Sequence, residues 1–170
     1  RPPIPNCSEV KGEHMQVLTS KDNEFVTHVK KLKEKKYRDQ SQEFIIEGIK
    51  LVKEAIEEKA NIKQIIICDN CENSGIISKD LMYEIAKYNC VYVTENILKT
   101  MSDVNAPQGI LAIIGRNNQE KKIDYNQDII VALDDIQDPG NLGTILRTVD
   151  SIGLNQILVS KGTADCYNPK

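Results

Sequence analysis

Three residue types near one end of the chain can do chemistry together: Asn141, Gly143 and Arg147, in the run Leu133-Asp134-Asp135-Ile136-Gln137-Asp138-Pro139-Gly140-Asn141-Leu142-Gly143-Thr144-Ile145-Leu146-Arg147. The apolar stretch before this run reads as a strand, and Leu142, Ile145, Leu146, Val149 and Ile152 after it fall at helical spacing. The run is therefore a strand-to-helix turn, the crevice where α/β proteins gather ligands. Asp138 and Pro139 suit a turn, Gly140 relaxes the backbone, and Asn141 is placed to cap a helix over 142–152. Exposed N–H groups and the helix dipole favour an anion at such an end. Gly143 and Arg147 are four residues apart, so they share a helix face. Helical side chains lean toward the N-terminus, so Arg147 reaches back over the bare Gly143 toward Asn141. A fixed fork of donors there suits a phosphate or sugar oxygen. The competing view is that Arg147 pairs with Asp138 or Asp150 and the glycines serve the turn alone. The spacing matches neither GxGxxG nor the P-loop, which leaves dinucleotide and nucleoside triphosphate sites without a motif.

A second cluster is cationic. Lys30, Lys31, Lys33, Lys35, Lys36 and Arg38 crowd with His28 into one segment, opposed by Glu34 alone. Phe25, Val29 and Leu32 give that segment a helical stripe, and one helix is expected from about Asp22 to Tyr37. The whole chain has a net charge of −3 and a pI of about 5.5, so this local excess stands against an acidic background. Such a patch fits phosphate neutralisation by RNA, with sequence-independent and salt-sensitive affinity. The alternative is a solvated helix face. Tyr37 is the lone aromatic there, so base stacking is not expected.

Cys68 and Cys71 form a CxxC pair among five cysteines. No second CxxC and no nearby His complete a set of zinc ligands, so no metal is expected. An odd cysteine count without a secretion signal reads as reduced thiols. No apolar run approaches a membrane span, and a cytoplasmic protein is expected.

The elements that position these clusters fall into two groups. Residues 1–14, rich in proline, read as a leader ahead of Met15, outside the fold proper. Residues 15–116 alternate strand and helix: strands at 44–46, 65–68, 91–93 and 109–114, and helices after Gly48, Ser78 and Thr94. That order predicts a compact α/β layer domain. Residues 117–127 are polar and aperiodic, a linker. Residues 128–170 hold strand 129–133, the helix stopped by Gly153, and strand 156–159. This single βαβ unit is too little to cover both faces of a parallel sheet, so more chain is expected to belong with it.

Taken together, Asp138-Pro-Gly-Asn-Leu-Gly-Thr-Ile-Leu-Arg147-Thr resembles the first signature motif of the SpoU (TrmH-like) RNA methyltransferases of the SPOUT superfamily. The end, Gly162-Thr-Ala-Asp165-Cys-Tyr167-Asn168-Pro169-Lys170, resembles the lead-in to their second motif, and Phe44-Ile-Ile-Glu47-Gly48 is similar to the opening of their N-terminal domain. The resemblance covers Met15 to Lys170. It implies an N-terminal α/β/α RNA-binding domain of ribosomal-protein type, then a Rossmann-like SPOUT domain that is incomplete because its C-terminal trefoil knot is not in this sequence. It implies methyl transfer from S-adenosylmethionine to a ribose 2′-hydroxyl, of ribosomal more than transfer RNA. Arg147 would contact the target ribose–phosphate, with Asn141 orienting it, and the intact protein would be a homodimer. The cofactor site is expected beyond Lys170, so these 170 residues are expected to bind no S-adenosylmethionine and to be inactive. The rival readings are a non-catalytic RNA-binding module and, further off, a small-molecule α/β enzyme.

Overall fold

The computed structural model describes residues 17–71, 75–104, 106–116, 123–126 and 128–168. The expected leader, Met15, most of the expected linker, Pro169 and Lys170 lie outside the described residues. The chain divides into two compact units at 117/118.

The first unit runs β1 (Val17–Leu18), α1 (Glu24–Lys31), α2 (Lys35–Ser41), β2 (Glu43–Glu47), α3 (Ile49–Glu57), β3 (Ile62–Cys68), α4 (Lys79–Ile85), β4 (Cys90–Val93), α5 (Glu95–Met101) and β5 (Ile110–Gly115). The five strands form one sheet in the order β1-β4-β3-β5-β2. β1, β4 and β3 run parallel, whereas β5 is antiparallel to both β3 and β2. Ile65, Ile66 and Ile67 are 0% exposed on the central β3. Their continuous apolar run marks a strand covered on both faces. β5 is buried throughout, and Ile45 of β2 packs opposite Ile113. The two-residue β1 closes one sheet edge and leaves little backbone exposed for pairing with another chain.

One expected helix is in fact two. α1 gives way to a turn at Leu32 and Lys33, and Glu34 is extended (φ −94°, ψ 132°). The cause is Arg38, 2% exposed, whose Nη1 donates to Leu32 O at 2.9 Å and Lys33 O at 2.6 Å. In an unbroken helix those carbonyls would accept from the N–H groups four residues on. The guanidinium takes their place, and α2 sets off from α1 at the break.

The second unit is a βαβ unit. β6 (Val131–Leu133) pairs parallel with β7 (Ile157–Val159), joined through α6 (Pro139–Ser151). Leu142 and Val149 turn the buried face of α6 inward. Gly153, at φ +75°, follows the helix as a left-handed stop. α6 begins three residues earlier than expected, and Asn141 is not its cap. The N-cap is Asp138, whose carboxylate accepts from Asn141 N at 2.7 Å, with Pro139 in the first turn. Among the described residues no helix is long and apolar enough to cross a membrane.

Candidate functional site

The carboxyl ends of β6 and β7 carry two loops that are laced together. Ser160 N donates to Leu133 O at 2.9 Å, Asp135 N to Ser160 Oγ at 3.0 Å and Ala164 N to Ile136 O at 2.8 Å. Thr163, 8% exposed, bonds back to Leu133 O at 3.3 Å. Gly162 permits this approach, since a Cβ there would lie 2.7 Å from Asp135 Oδ1. The loop that leads into α6 is thus held by main-chain and hydroxyl bonds, and the helix start is fixed relative to the strands.

The mouth of α6 already holds an anion of its own. Leu142 N bonds Asp138 O at 3.0 Å, Asn141 N is taken by the Asp138 carboxylate, and Pro139 has no N–H to offer. Gly140 alone keeps a helical N–H for an incoming group. Attraction for a phosphate therefore rests on Arg147 more than on the helix end. The side chain of Arg147 runs back along α6 as its sequence position predicts. Its Nη1 comes to 4.0 Å from the place of a Cβ on Gly143, and its Nη2 donates to Thr144 Oγ1 at 3.5 Å. Thr144 Oγ1 in turn donates to Gly140 O at 2.9 Å. Arg147 is exposed, and among the described residues no carboxylate, Asp138 and Asp150 included, pairs with it. No hydrogen bond joins it to Asn141. Asn141 instead borders an open depression of about 420 Å³ with Asp135, Ile136, Gln137, Asp138, Thr144 and Ile145.

All the residues of that depression come from one stretch of chain, 135 to 145. A molecule the size of S-adenosylmethionine needs walls on several sides. The residues that line this depression form one side of such an enclosure.

The cationic segment of the first unit splits into two sets. Arg38 is consumed by the break between α1 and α2, and Lys33 Nζ donates to Ser102 O at 2.7 Å while pairing with Asp103 at 3.0 Å. Both make contacts within the fold, which sets them apart from the other cations of the expected RNA-facing patch. Lys30, Lys31, Lys35 and Lys36 are exposed and pair with no carboxylate among the described residues.

Cys68 ends β3 and Cys71 sits in the turn beyond, both buried. Burial pushes the Cys68 thiol up to about 11 and raises that of Cys71. Neither is a ready thiolate. Gly109, at φ +84°, packs against them where a Cβ would overlap Cys71 Sγ. Among the described residues no three His, Cys, Asp or Glu side chains are grouped to hold a metal ion.

Sequence reasoning missed Asp138, Thr144 and Thr163. The Asp-Pro step ahead of an apolar helical stripe is the signal for Asp138. Thr144 and Thr163 act through contacts that spacing alone does not reveal.

Residues 23–112 match the MRM3-like substrate binding domain, and residues 128–170 match the SpoU rRNA Methylase family. A 23S rRNA guanosine 2′-O-methyltransferase of Bacillus subtilis is 34% identical over 92% of this chain and 59% of its own length. A mitochondrial rRNA methyltransferase 3 of Xenopus tropicalis is 33% identical over 81% of this chain and 34% of its own. The crystal structure of an rRNA methyltransferase from Sinorhizobium meliloti superposes with a TM-score of 0.68 at 29% identity, covering 90% of this chain and 57% of that one. An AdoMet-bound rRNA methyltransferase structure from Sinorhizobium meliloti superposes with a TM-score of 0.69 at 28% identity, covering 90% of this chain and 57% of that one. The chain thus spans under two thirds of the length of each of these relatives. With both units matched in the same order, and with the laced loop and Arg147 inside the second match, the chain belongs to the SpoU rRNA methylase family, in the branch fitted with an MRM3-like substrate binding domain.

Proposed function

We propose that the whole protein transfers a methyl group from S-adenosylmethionine to a ribose 2′-hydroxyl of RNA, ribosomal RNA in preference to transfer RNA. The observation that carries this reading is Arg147: a cation laid over Gly143, free of any carboxylate partner among the described residues, at the carboxyl edge of a parallel strand pair. A guanidinium stays charged at all working pH values, so it is a poor acceptor for the 2′-OH proton. What it does well is grip the ribose–phosphate and offset negative charge as it gathers on the attacking oxygen. Thr144 holds it on one side, and the bare Gly143 leaves room for the sugar on the other. In this reading the first unit docks RNA through Lys30, Lys31, Lys35 and Lys36. The methyl donor is held outside the depression at Asn141, because the residues there form one wall only. These 170 residues alone are then inactive, and the intact protein works as a homodimer.

The names of the relatives and the matched substrate binding domain support the same reaction class. The test is methyl transfer from labelled S-adenosylmethionine to rRNA by the longer protein, with nuclease digestion to locate the label. Label on a ribose oxygen supports the reading. Label on a base, or none, contradicts it.

A further inference from the structure

The break between α1 and α2 creates a second concavity, of about 290 Å³, lined by His28 and Lys31 from one side and Tyr37, Gln40 and Ser41 from the other. Tyr37, half-buried, lines it. Lys31 Nζ stands 5.4 Å from the ring centroid and Lys36 Nζ 5.9 Å. Ser41 Oγ donates to Tyr37 O at 2.9 Å and steadies the last turn of α2. His28 Nε2 lies 2.7 Å from Glu43 Oε2, which fixes the imidazole at the edge of the concavity. Gln40 is exposed, with an amide that can both donate and accept.

These parts match the parts of a nucleotide. Both ammonium groups stand over the ring; a base of any identity can take their place on that aromatic face, and the flexible lysines can then move to the phosphate attached to it. An amide at the rim can then touch the base edge. The alternative is that the two lysines merely clothe the ring on a solvated face. Against it stands the sorting of the cations. Lys33 and Arg38 are turned into the protein, while Lys31 and Lys36 keep their charge at the ring with no carboxylate to neutralise it among the described residues. The helix break that brings Lys31 and Lys36 to Tyr37 is not legible in the sequence.

We propose that this concavity is a subsite for one unpaired RNA nucleotide, its base on Tyr37 and its phosphate at Lys31 and Lys36. The proposal rests on the reading of the first unit as an RNA-docking surface. It requires an unpaired nucleotide because bases inside a duplex offer no face to a side chain.

The test uses the 170-residue chain and a fluorescent oligoadenylate, with binding followed by anisotropy across a salt series. Tyr37→Phe should bind as the parent does. Tyr37→Leu should weaken binding roughly ten-fold with an unchanged salt slope, the mark of lost stacking. Lys31→Gln should lower the salt slope by about one, the mark of a lost phosphate contact. Duplex RNA should be indifferent to Tyr37→Leu. Parent-like binding of oligoadenylate by a folded Tyr37→Leu overturns the subsite. If that variant fails to fold, Gln40→Ala decides in its place: a loss of roughly three-fold supports the subsite, and no loss overturns it. Weakening by a Lys30→Gln, Lys35→Gln double variant without any effect at Tyr37 would sink the subsite alone. Failure of the parent chain to bind either RNA sinks the docking reading with it.

Discussion

The Arg147 guanidinium lies over Gly143, its Nη1 4.0 Å from the place a Cβ on that glycine would occupy. The separation is an ordinary van der Waals contact, so one methyl group fits there. This pairing gives the glycine a role other than backbone freedom, since it sits within α6.

Gly143→Ala should therefore stabilise the second unit by about 0.5–1 kcal/mol through helix propensity. Gly143→Leu should occupy the space beneath the guanidinium and lower methyl transfer by the longer protein. Urea denaturation and a transfer assay on both variants check this pair of outcomes. Equal activity in Gly143→Leu and the parent would show that the position of Arg147 is not set by the glycine.

Asp138, and not Asn141, caps α6. Asp138→Ala should cost about 1 kcal/mol of stability, and Asp138→Asn should recover most of it. Asn141→Ala, at an exposed position whose side chain caps nothing, should stay within about 0.5 kcal/mol of the parent. Midpoints of urea unfolding distinguish these outcomes, and a larger loss for Asn141→Ala would restore it as the cap.

Arg38 and Lys35 are three residues apart, with opposite fates. Arg38 is buried on two carbonyls, so Arg38→Ala should destabilise the first unit by about 2–3 kcal/mol, because it leaves Leu32 O and Lys33 O without their donor. Lys35→Ala, at an exposed position, should change stability by less than about 0.5 kcal/mol and act only on RNA affinity. A stable Arg38→Ala with weakened RNA binding would return Arg38 to the docking surface.

Much of the fold follows from apolar periodicity. Strands β2 to β5 of the first unit and the βαβ order of the second lie close to their expected places, because Ile-rich runs such as Ile65–Ile67 have few alternatives to a covered strand. The direction of Arg147 was also legible, since helix geometry alone dictates it. The α1–α2 break was not. The stripe through Phe25, Val29 and Leu32 promises a continuous helix, and only the tertiary burial of the Arg38 guanidinium overrides it. The true cap of α6 was misread for a related reason. Asp, Gly and Asn all suit a helix start, and the choice among them turned on Pro139 entering the first turn. The tying of the two loops through Ser160, Gly162 and Thr163 depends on residues far apart in sequence, where no local pattern exists.

In the proposed reaction Arg147 acts on the RNA ribose–phosphate and not on the fold. The most direct measurement is methyl transfer by the longer protein carrying Arg147→Ala, with S-adenosylmethionine affinity and thermal stability measured on the same preparation. A loss of transfer of roughly a hundred-fold or more is expected, with cofactor affinity and stability close to those of the parent. Transfer at the parent rate by a folded Arg147→Ala protein would contradict it.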